Sequence, residues 1–157
     1  MPCHRAHLPL FPTVLCLVCL AAAGCGNRMS DDQILETSGR MMGVAFPEGT
    51  RLLGYYHMEA DDRKPGPSSL SDALWLKIEM DAAELEPFLA HSPLAKTTLR
   101  TDTRAVFNDQ KFSWWDPESP KWFRSGKVEI PVGRYLYVLV DLDRQDKVTV
   151  YLAWQET

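Results

Sequence analysis

Alternation of apolar and polar residues dominates the last third of the chain. Val128, Ile130 and Val132 alternate along 127–132, and Leu136, Val138, Val140 and Leu142 along 135–142. Val148, Val150, Leu152 and Trp154 repeat the pattern after the polar turn Asp143-Arg144-Gln145-Asp146. Successive strand residues face opposite ways, so each run predicts a strand with one apolar face. Two such runs about a short polar turn predict an antiparallel hairpin. Upstream, Leu74, Leu76, Ile78 and Met80 share one face of a strand over 73–80, with Trp75, Lys77 and Glu79 on the other. A further strand, rich in aromatics (Tyr55, Tyr56), is predicted over 50–59, behind the turn Phe46-Pro47-Glu48-Gly49.

Two helices punctuate these strands. Ser30 and Gln33 have the spacing of a capping box, Asp31 and Asp32 suit a helix N-terminus, and Gly43 is a stop. Asp81 and Glu84 form a D-x-x-E cap before the stripe Leu85, Phe88, Leu89. Pro93 ends that helix, while Pro87 inside it leaves its length open. Residues 61–71 read as a loop, 104–107 as a short edge strand, and 111–124 as an ordered loop carrying Trp114, Trp115 and Trp122. The order predicts an α+β fold: a mostly antiparallel sheet of about five strands, two short helices packed on one face, and a C-terminal hairpin or meander.

The first 24 residues belong to a different kind of segment. Arg5 precedes an apolar run, Val14 to Ala23, about half the roughly 20 residues a spanning helix needs. It ends in small residues and Cys25. This layout resembles a bacterial lipoprotein signal peptide, with Ala22-Ala23-Gly24-Cys25 at the lipobox. The resemblance implies a leader over 1–24, a lipid-bearing Cys25 with palmitate-type acyl chains, a short tether over 25–30 and a single α+β domain over 31–157. It further implies attachment to the membrane of the cell envelope. Gly26, where an inner-membrane retention aspartate would stand, points to the outer membrane, facing the periplasm, in a host that has one, and otherwise to the outer face of the cell membrane.

The four cysteines are Cys3, Cys16, Cys19 and Cys25. A domain over 31–157 therefore holds no thiol for a disulfide, metal or nucleophile, and its stability must come from packing. Loss of Arg5 makes the formal charge one unit more negative than −4. With no basic run, nucleic acid is not an expected partner.

Candidate chemistry is sparse. Asp141, Asp143 and Asp146 suggest calcium, but the stretch lacks the glycine and terminal glutamate of an EF-hand loop, and Arg144 opposes a cation. We read it as turn chemistry. His57, Glu59, Asp61 and Asp62 gather near the end of the first strand and define an alternative, an envelope hydrolase using acids. No nucleophile elbow or phosphate loop accompanies them. No metal or cofactor is expected. Trp114, Trp115, Trp122 and Phe123 form the most unusual local composition: either a platform for a ligand, or rings covering one end of the sheet.

The segments W-W-D-P, Y-L-Y-V-L-V-D-L, V-T-V-Y-L-A-W and A-L-W-L-K-I-E-M-D-A-A-E-L loosely resemble small bacterial secreted and lipoprotein families of unassigned activity. That resemblance carries over no functional residue. The expectation is a lipid-anchored, non-catalytic binding or interaction module for an unidentified protein or small ligand, an immunity or inhibitor role included.

Overall fold

Ser30 opens the first element. In a computed structural model, which describes residues 29–59, 72–105, 112–131 and 133–156, its hydroxyl accepts the Gln33 N–H at 3.3 Å. The Gln33 side chain in turn accepts the Ser30 N–H at 2.9 Å. Both halves of the capping box are thus made. Helix α1, Asp31–Met42, ends at Gly43, whose φ of 69° is the left-handed conformation glycine takes without penalty.

Five strands follow: β1 Arg51–Met58, β2 Ala73–Asp81, β3 Phe123–Glu129, β4 Arg134–Asp141 and β5 Lys147–Glu156. They form one antiparallel sheet in the order β1-β2-β5-β4-β3. The last three make the expected meander. The connection from β2 to β3 leaves at Asp81 and returns at the far edge. It passes through a 3₁₀ turn at Ala82–Glu84, helix α2 at Leu85–Ala90 and a second 3₁₀ turn at Leu94–Lys96.

Alternation decides which side chains meet. Leu74, Leu76, Ile78 and Met80 from β2 join Val148, Val150, Leu152 and Trp154 from β5 and Leu136, Val138 and Val140 from β4. Met42, Phe88 and Leu94 close over them from the helical side. The opposite face is covered as well. There Ala73, Trp75, Leu139, Tyr151 and Ala153 are buried with Trp115. The three interior strands, β2, β5 and β4, are therefore apolar on both sides where this second cluster covers them.

Three local expectations need correction. Asp81 does not cap the second helix through its side chain. Its carboxylate is drawn to Lys147, its cross-strand partner, at 2.6 Å, and the chain makes a 3₁₀ turn first. Pro87 then falls in the first turn of α2, where a missing N–H costs no intrahelical bond. The third strand begins at Phe123 rather than 127 and ends at Glu129. Finally, Arg104 and Ala105 are not in a strand; the backbone pairs with β3 at the bridge between Arg100 and Ser125, and the Ser125 hydroxyl bonds the chain again at Thr103 and Ala105. Residues 106 and 107, and the proposed loop 61–71, lie outside the described residues.

Candidate functional site

The tryptophan-bearing segment runs over the outer face of the sheet and serves as its second layer, instead of covering one end. Rings step across that face in series. Tyr56 on β1 lies 4.7 Å from Phe112, Phe112 stacks on Trp114 at 5.2 Å, and Trp114 meets Trp115 edge-on at 5.7 Å. Trp115 in turn stands edge-on to Tyr151 of β5 at 5.4 Å. Offset and edge-to-face pairs of this kind add stabilisation beyond their buried area. Trp115 is 5% exposed and Trp114 half-buried. Neither offers a free platform.

A polar clamp sits beside the rings. Asp116 accepts hydrogen bonds from Lys77 Nζ and from Tyr151 Oη at 2.8 Å. Burial works to raise the Asp116 carboxyl, but the bonds from Lys77 and Tyr151 and the Lys77 charge outweigh it and hold the group below its ordinary value. Tyr151 moves the other way: burial, then its bond to Asp116, push the phenol well above its ordinary range. The clamp keeps an ionised carboxylate and a neutral phenol together at neutral pH. Its geometry fastens the loop to β2 and β5.

Phe123 is half-buried beneath Arg104, whose guanidinium carbon lies 4.0 Å from the ring centroid. The same guanidinium donates to the carbonyls of Pro117 and Pro120 at 2.6 and 2.5 Å. One arginine thereby holds both proline carbonyls and a ring.

Trp122 behaves differently from its neighbours. Its side chain is 72% exposed, the most exposed large apolar group among the described residues. Its backbone is nevertheless fixed. The Asp143 carboxylate accepts the Trp122 N–H at 2.8 Å and the Lys121 N–H at 3.0 Å, and the Trp122 carbonyl accepts the Leu142 N–H at 2.8 Å. Those backbone bonds from Lys121 and Trp122 hold the Asp143 carboxyl below its ordinary value.

The remaining sequence candidates disperse. Asp143 is occupied by backbone N–H groups, Asp146 pairs with Arg144 at 3.5 Å, and Asp141 accepts the Asp143 N–H. Among the described residues no group of three or more histidines, cysteines or acids assembles. His57 pairs with Leu74 in register, so it lies on the helix-covered face, with Nε2 buried and without a partner among the described residues. Glu59 is exposed beyond the strand. Cys25, Asp61 and Asp62 lie outside the described residues.

Lys77, Tyr151, Asp116 and Arg104 escaped the sequence reading as parts of this surface. One signal was present. Trp75 and Tyr151 stand at positions the alternation assigns to the outer face of central strands, and two rings there require a cover. No protein-family model, curated protein or solved structure matches the chain.

Proposed function

We propose that this chain is a cell-envelope lipoprotein, anchored through Cys25, whose α+β domain is a non-catalytic binding module that uses Trp122 as its contact residue. One observation carries the binding reading: a large apolar ring stands in solvent on a backbone held by three hydrogen bonds. Ordering a loop is a principal cost of association, and here that cost is met in advance. Tryptophan is also enriched among the few residues that dominate binding energy. The flanking positions, Lys121 and Asp143, supply a polar rim. The anchor half of the reading rests on the lipobox at residues 22–25. The placement of His57 on the covered face lends the hydrolase alternative no support.

Envelope fractionation and a capture assay test the two halves separately. Cys25→Ser should move the chain from the membrane to the soluble fraction, and mass spectrometry should find an acylated Cys25 in the parent. Trp122→Ala should weaken capture of an envelope partner more than about tenfold, the usual loss at a dominant contact. Unchanged partitioning overturns the anchor. Equal capture by the Trp122→Ala chain overturns the site.

A further inference from the structure

We infer that the cleft between α1 and residues 43–50 is a second site, one that takes a short peptide by its two free termini. The cleft has a volume of about 900 Å³, within the range of small-ligand sites. Its floor is apolar, formed by Leu35, Gly39, Val44 and Phe46. The floor is also close-packed: a Cβ at position 39 would lie 2.7 Å from the Val44 carbonyl oxygen and 3.5 Å from the Phe46 ring.

The rim is polarised along its length. Asp32 and Glu36 stand on the first half of α1, and Arg40 on its last turn. His91 joins the Arg40 end, because Gly43 at the helix terminus abuts Pro93. Glu48 adds a third carboxylate from the facing loop. None of Asp32, Glu36, Arg40, Glu48 and His91 forms an ion pair with another described residue. On the sheet the pattern is the reverse, with Glu79 bridging Arg51 and Arg144, and Asp116 bound to Lys77. The helix dipole accounts for the places of Asp32 and Arg40 along α1. It does not account for Glu48 and His91 across the cleft.

Distance selects the ligand. At 1.5 Å per residue, Arg40 lies about 6 Å along the helix from Glu36 and about 12 Å from Asp32. An extended chain advances about 3.3–3.6 Å per residue, so a tripeptide or tetrapeptide places its ammonium by Asp32 and Glu36 and its carboxylate by Arg40 and His91. Its apolar side chains then cover Leu35, Val44 and Phe46. The Arg40 fork suits a carboxylate in a way a lysine would not. Binding here stands on its own residues and is independent of Trp122.

Titration calorimetry on the full chain tests this with the tripeptide Ala-Leu-Ala, its N-acetylated form, its C-terminal amide and decanoate as probes. The free tripeptide should bind saturably, and blocking either terminus should weaken it about fivefold, as for exposed charge pairs. Arg40→Gln should lessen the preference for the free peptide over its amide, His91 remaining at that end, while keeping the preference for a free amine. Glu36→Gln should lessen that second preference and spare the first. These side chains are exposed, so circular dichroism should show both variants folded. Equal binding of blocked and free peptides, decanoate binding as tightly as the peptide, or no saturable heat from a folded chain would each overturn the assignment.

Discussion

At Gly54 the backbone of β1 passes directly under the indole of Trp114, and a Cβ there would collide with that ring. The residue is a glycine because the outer layer touches the strand itself; its backbone angles need no special freedom. Gly54→Ala should therefore destabilise the chain by about 1–3 kcal/mol, the usual cost of forcing extra volume into a packed site. Trp114→Leu gives the new methyl room, so the double variant should lose less than the two single losses combined. Chemical denaturation of the four chains measures this, and strict additivity would show that ring and strand do not touch. None of this was legible locally. A glycine in a strand signals a bulge or a close approach, and only the fold shows which. Here the two come together, since the β1–β2 register shifts between Leu52 and Gly54. The bulge also roughens an edge strand that would otherwise invite pairing with another chain.

Among the elements, those whose instructions lie within a few residues were the readable ones. The strand pattern of β2, β4 and β5 and the cap of α1 fall in this class. The start of β3 does not, because Phe123-Arg124-Ser125-Gly126 shows no apolar alternation. It becomes a strand by pairing with Val138–Asp141 on one side and Arg100 on the other. The placement of residues 112–122 was likewise invisible, since Asp116 and its partner Tyr151 are 35 positions apart. That segment lacks regular structure and is held from outside, above all by Arg104. Arg104→Gln should cost about 1–2 kcal/mol through lost hydrogen bonds to two carbonyls. Its effect should stay local. Hydrogen exchange should quicken at the amides of Trp115 and Ser119, which close turns within the loop, and remain slow in β4 and β5. Uniform acceleration across the sheet would mean the loop is part of the global folding unit.

For the molecule as a whole, the two layers over the sheet differ in chemistry, and acid should expose the difference. The helical layer rests on apolar contacts, while the outer layer is tied down by carboxylates, with Asp116 and Asp143 in ionised form. Asp116, Asp143 and Asp146 are held below the ordinary carboxylate value, and Asp102, bonded to Arg100, reaches about 2. A carboxylate lowered on folding binds fewer protons in the native state. Its contribution is present above the unfolded pKa and is lost as pH falls through the folded one. Stability should hold at neutral pH and then fall as pH drops below the unfolded aspartate value of about 4. Asp102, Asp143 and Asp146 are fully solvated and add little to that limb, which leaves Asp116 as its main residue. Asp141 carries the opposite sign. Burial, then the nearby Asp143 and Asp116 charges, raise its carboxyl against the Asp143 N–H bond that lowers it. Its contribution is full at acid pH and lost as pH rises through the folded value. Melting temperature against pH should thus separate three chains. Asp116→Asn should melt lower than the parent at pH 7 and converge with it in acid, once the Asp116 carboxyl is protonated. Asp141→Asn should match the parent in acid and melt at or above it at pH 7, because the amide oxygen still accepts the Asp143 N–H. Parallel curves for all three would mean that the outer layer is held by its rings and by Arg104, and not by its carboxylates.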